Sequence, residues 1–233
     1  MTKDLCADSK SQPIGSCATW IEPPKASATM SRGALLAEVR WRRRATIPIA
    51  FLNGTEELHT RVMTASQKWR AHAKLCFQYV PDPGLADVRI AFEGTSHWSA
   101  LGTSCKNIVQ PAPTMSLGLS QGSSEFALES AVLHEFGHML GFVHEHQSPA
   151  THILWDKPVV YAELKQRLGW TKEQVDVNVF NCFVAGETNF TEPDPDSIML
   201  YPIPPYWTKD RVSWSLNSTL SVGDKLVAQS HYA

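Results

Sequence analysis

The sequence predicts an α+β fold with a twisted mixed sheet in the first half, two long helices behind it, and a less regular second half. Three observations lead there. Short runs with β character crowd residues 46–119. Two stretches, 56–72 and 124–140, carry apolar residues at helical spacing. Beyond residue 168 the chain turns proline-rich, before a last helix after Ser221.

Each element has its own signal. Residues 46–52 form an apolar run closed by Asn53-Gly54. A helix follows over about Glu56–His72, with Leu58, Val62, Ala65 and Trp69 on one face. Asn53 and Glu56 have the spacing of a capping box at its start. Leu75–Val80 and Asp87–Phe92 read as strands joined by the turn residues Pro81-Asp82-Pro83-Gly84. The second alternates, with Val88, Ile90 and Phe92 on one face and Arg89 and Ala91 on the other. Trp98–Leu101 and Thr114–Leu119 read as two further strands. The helix over Ser124–Leu140 buries Leu128, Ala131, Val132, Phe136, Met139 and Leu140, and Gly141 stops it. Another helix is expected over Val159–Leu168 and coil around Glu192–Pro205. Residues 1–35 show no sustained period and read as an N-terminal extension or arm, leaving 36–233 as the compact domain.

The 233 residues suffice for a core without disulfide support. A net charge of −2 supplies no field for nucleic acid or an anionic membrane, so neither is expected as a partner. The basic run Arg40-Trp41-Arg42-Arg43-Arg44 reads as a solvated strand entrance. No apolar run approaches the roughly 18 residues of a membrane span, and Met1-Thr2-Lys3-Asp4 opens no apolar leader. Five cysteines without a CxxC pair leave at least one thiol unpaired in a monomer, the expected state. Asn-x-Ser/Thr sequons begin at Asn53, Asn189 and Asn217.

Residues 134–145 carry the chemistry: His134-Glu135-Phe136-Gly137-His138-Met139-Leu140-Gly141-Phe142-Val143-His144-Glu145. On a helix, residues four apart share a face, so His134 and His138 can converge on one ion. A third ligand needs a sharp bend, which Gly141 permits by taking a positive φ; His144 then arrives from the other side. Three neutral imidazoles around zinc leave a fourth position open, the arrangement of a catalytic site. Glu135 is placed to take a proton from water acidified by the metal. Histidines on an apolar helix can be satisfied core residues, and HExxH alone occurs by accident. The longer pattern in a predicted helix argues against both.

With these residues in view, the sequence resembles the metzincin metallopeptidases and, within them, the astacin family. Glu145 directly after the third histidine is the astacin-type residue. Ser197-Ile198-Met199-Leu200-Tyr201 resembles the family's Met-turn, with Met199 beneath the metal and Tyr201 as an extra, displaceable zinc ligand that helps stabilise the oxyanion. Trp98–Gly102 with Met115–Gly118 resembles the exposed edge strand and the approach to the zinc helix, and Leu220–Lys225 the closing helix. The resemblance implies a metzincin-type zincin with a zinc cleft between its halves, and secretion. It implies a zinc endopeptidase whose protein or peptide substrate pairs with the edge strand. The family's disulfides cannot be carried over, because no cysteine follows Cys182. In the family the mature N-terminus can reach the glutamate after the third histidine; here an arm precedes the domain. A zinc-binding module without catalysis and an effector that cuts a single target are the alternatives.

Overall fold

The structure is a computed structural model that describes residues 17–20, 37–148, 150–182 and 194–233. Among the described residues six strands form a single sheet: β1 (Cys17–Trp20), β2 (Thr46–Phe51), β3 (Cys76–Tyr79), β4 (Val88–Ala91), β5 (His97–Ala100) and β6 (Met115–Ser116), in the order β1-β5-β6-β4-β2-β3. All neighbours run parallel except β5 and β6, which pair antiparallel with Trp98 opposite Ser116. β1 comes from the arm that the sequence left without structure. It lies parallel on β5, with Cys17 opposite His97 and Trp20 opposite Ala100.

Helix α1 (Glu56–Arg70) starts at Thr55, whose side chain accepts from the Leu58 N–H at 3.2 Å. The capping box expected from Asn53 does not form. Asn53 instead uses its Oδ1 to accept from the Phe92 N–H, fastening β4 to the turn after β2. Glu56 and Glu57 in the first turn and Lys68 and Arg70 in the last oppose the helix dipole favourably. Its buried face, Leu58, Val62, Ala65 and Trp69, is the one predicted.

Helix α2 (Glu125–Met139) is capped by Ser124, which accepts from the Ala127 N–H. From Ser130 to Met139 every residue is buried, so α2 is a central helix covered all round. It packs on α1 and β5, and indole N–H groups pin it at two places. Trp69 donates to the Leu133 carbonyl at 2.9 Å and Trp41 to the Met139 carbonyl at 2.8 Å.

Both faces of β4 are covered, since all four of its residues are buried. Segment 102–114 covers the second face. Arg89, 2% exposed, survives there because its guanidinium donates to the carbonyls of Ala112, Ile108 and Ala86. Such charge-assisted bonds offset the desolvation of a buried cation.

The C-terminal half has a separate core of Val160, Leu164, Val175, Val179, Tyr201, Ile203 and Trp207. It is built by α3 (Lys157–Leu168), α4 (Lys172–Val175) and a π-helical turn over Asp176–Phe180, the last two unforeseen in the sequence. Trp207 fills this core and Trp214 packs against it. The final helix, α5 (Val222–Tyr232), has a reciprocal capping box between Ser221 and Asp224. The basic run is not simply solvated. Trp41 is core, and Arg43 donates to the Ser230 and His231 carbonyls at the C-terminal end of α5. Cys76, Cys105 and Cys182 are free thiols, and burial pushes that of Cys105 up to about 12. Asn53 and Asn217 have their side chains engaged internally, while Asn189 lies outside the described residues. Among the described residues no helix is long and apolar enough to cross a membrane.

Candidate metal centre

The last turn of α2 builds the site through its backbone. Leu140 is the C-cap and Gly141 follows at φ 95°. The Gly141 N–H bonds the His138 carbonyl at 2.8 Å and the Phe142 N–H bonds the Gly137 carbonyl at 3.0 Å. These are the two bonds of a Schellman ending, and they need a residue comfortable at positive φ between them. The chain then reverses so that His144, in extended backbone, returns beside the helix it has left.

His134, His138 and His144 meet in a buried cluster. Their Nε2 atoms lie 3.1, 3.2 and 3.1 Å from one another. Three nitrogens held at 2.0–2.1 Å by one tetrahedral ion would stand about 3.3 Å apart, so the triangle fits zinc closely. The outer nitrogens explain the orientation. Nδ1–H of His134 donates to the Ile198 carbonyl at 2.6 Å, and Nδ1–H of His138 to the Phe142 carbonyl at 2.8 Å. A carbonyl can only accept, so each Nδ1 carries the proton and each Nε2 turns a bare lone pair inward. Two bare lone pairs facing one another repel unless a cation joins them, and the His144 Nε2 closes the same triangle. Burial holds the His134 imidazole down at about 4 and the other two well below their usual value. All three are therefore neutral, the form that ligates a metal.

The other residues singled out in the sequence gather here. Glu135 is buried next to His134, at 1% exposure. Met199 sits in a tight turn closed by Leu200 N–H to Ser197 O at 3.2 Å. Its sulfur lies against Gly137, where any Cβ would collide with it. A mid-helix glycine costs up to ~1 kcal/mol against alanine; here it admits the methionine under the zinc helix. Tyr201 is buried with its ring centroid 5.3 Å from His144 and 6.3 Å from Trp207. Glu145 is half-buried and stands apart from the histidine cluster. Its N–H bonds the Met199 carbonyl, and burial, then Asp224 and Asp194, push its carboxyl up to about 8.

Sequence reasoning missed the outer supports. Asp224 accepts from Ser197 Oγ at 2.7 Å and from the Ile198 N–H at 2.8 Å, fixing the residue whose carbonyl aims His134. The capping-box spacing Ser221–Asp224 was a readable signal for the helix start, though not for this second duty. His146 and Gln147, both fully enclosed behind His144, carried no signal at all.

The family model for the astacin peptidases matches residues 35–169. A solved structure of myroilysin is 33% identical, with a TM-score of 0.80, over 86% of this chain and 98% of that one. A second myroilysin structure is 29% identical, with a TM-score of 0.72, over 95% and 92%. High choriolytic enzyme 1, a hatching-enzyme zinc-protease of the medaka fish Oryzias latipes, is 16% identical with a TM-score of 0.53, over 86% and 96%, and shares the fold. No curated protein matches the chain.

Proposed function

The chain belongs to the astacin family of zinc metallopeptidases, and on that premise we propose that residues 36–233 hold zinc through His134, His138 and His144 and hydrolyse peptide bonds with Glu135 as the general base. The family acts on proteins and peptides through zinc. The observation that carries the residue assignment is the triangle of Nε2 atoms 3.1–3.2 Å on a side.

When bound, zinc supplies Lewis acidity, acidifying water and polarising the scissile carbonyl. The chain's own groups do the rest. The Ile198 and Phe142 carbonyls keep two ligand rings aimed, so no reorientation is needed at each turnover. Glu135, one residue along α2 from His134, takes the proton of the attacking water and passes it to the leaving amine. Tyr201, beside His144, offers its phenol to the oxyanion as charge develops. Met199 and Gly141 shape the floor and the bend.

The substrate is an extended segment that pairs with β5 by main-chain hydrogen bonds. In the structure β1 holds that edge, so a substrate strand pairs there only after residues 17–20 leave it. Secretion, as for family members, accords with proteolysis outside the cell.

A general protein substrate such as casein is expected to be digested. A zinc chelator should abolish digestion, and zinc added back should restore it. Digestion unaffected by chelation would contradict the reading.

A further inference from the structure

Two of the three ligand rings are aimed by backbone carbonyls, and the third is not. Nδ1 of His144 is buried and meets no acceptor, backbone or side chain, at full hydrogen-bond geometry. The nearest complement is Gln147. His144 caps a 3-10 turn over Glu145–Gln147, closed by Gln147 N–H to His144 O at 3.1 Å. In such a turn the side chains at i and i+3 eclipse, which puts the Gln147 side chain on the same side of the turn as the His144 ring. The Gln147 side chain is within hydrogen-bonding reach of that imidazole. Gln147 Oε1 is itself buried without a hydrogen-bond partner, and Gln147 is 0% exposed. A donor in need of an acceptor and an acceptor in need of a donor thus share one dry space.

The far end of the amide is already tied. Gln147 Nε2 donates to the Val177 carbonyl at 3.2 Å, within the π-helical turn Asp176–Phe180. The neighbouring His146 ring lies against the backbone of Asn178 and Val179 in the same turn. Single π turns are frequent at functional sites, and here the Val177 carbonyl of one faces the strap that carries the third ligand.

We propose that Gln147 is the positioning residue of His144: its Oε1 accepts the Nδ1 proton and its Nε2 is anchored on the Val177 carbonyl, so the π turn braces the third metal ligand. This rests on the zinc reading above. The side-chain amide does for His144 what the Ile198 and Phe142 carbonyls do for His134 and His138. It fixes the tautomer that leaves Nε2 bare, and it holds the ring against rotation.

Gln147→Met keeps the volume and removes both polar ends. Gln147→Glu keeps an acceptor for Nδ1 and gives up the Val177 bond. Zinc dissociation constants are measured by competition with a chromophoric chelator, alongside thermal unfolding of the zinc-free proteins. The Met variant is expected to bind zinc about 10–100-fold more weakly, with zinc-free unfolding close to that of the wild type. The Glu variant should stay within a few-fold of wild-type affinity. A Met variant that binds like the wild type, or a Glu variant as weak as the Met variant, would overturn the assignment while leaving the peptidase reading standing. If the Met variant does not fold, the Glu variant decides. A wild-type chain that binds no zinc overturns both.

Discussion

Glu135→Ala is expected to bind zinc as the wild type does and to lose proteolysis, with kcat down about 10²–10⁴-fold, the range of a positioned general base. The separation of the two effects follows from placement. Glu135 neighbours His134 on α2 but lies outside the triangle formed by the three imidazoles, so the metal keeps its ligands. KM is expected to change little, since the carboxylate acts on water and on the leaving amine rather than on substrate side chains. Peptide turnover compared with bound zinc in one preparation checks this. Near-normal turnover in the variant would remove Glu135 from the mechanism.

Tyr201→Phe is expected to lower kcat about 10²–10³-fold, the typical loss when a single oxyanion donor is removed, with zinc retained. The ring is held among His144, edge-on, His146, tilted, and Trp207, stacked, by contacts that phenylalanine preserves. The change therefore removes the hydroxyl and leaves the packing. An unchanged kcat would exclude the phenol from the reaction. Complete loss of zinc would make Tyr201 an obligatory ligand instead of a displaceable one.

The metal site was legible in the sequence because its rules are local. His134, His138, Gly141 and His144 are fixed by helix periodicity and by a single positive φ, both readable over eleven residues. Helices α1 and α2 were legible for the same reason. What escaped depends on partners distant along the chain. Residues 17–20 have no strand pattern of their own and become a strand only through β5. Arg89 could be placed on a strand face with Ala91, but not under segment 102–114, which folds over it and supplies carbonyls. Thr55 displaced Asn53 as the helix cap because the Asn53 side chain is committed to Phe92, a residue 39 positions away. Gln147 and Asp224 act through the Val177 carbonyl and the Ile198 N–H, backbone groups that any residue would offer. A sequence shows side-chain identity, but not which backbone carbonyl arrives opposite it.

The most direct measurement is metal content. Elemental analysis of the purified protein should find a single zinc per chain, while His134→Ala, His138→Ala and His144→Ala each purify without it under the same conditions. A wild-type protein with no stoichiometric metal, or three variants that all keep zinc, would contradict the convergence of these imidazoles on an ion.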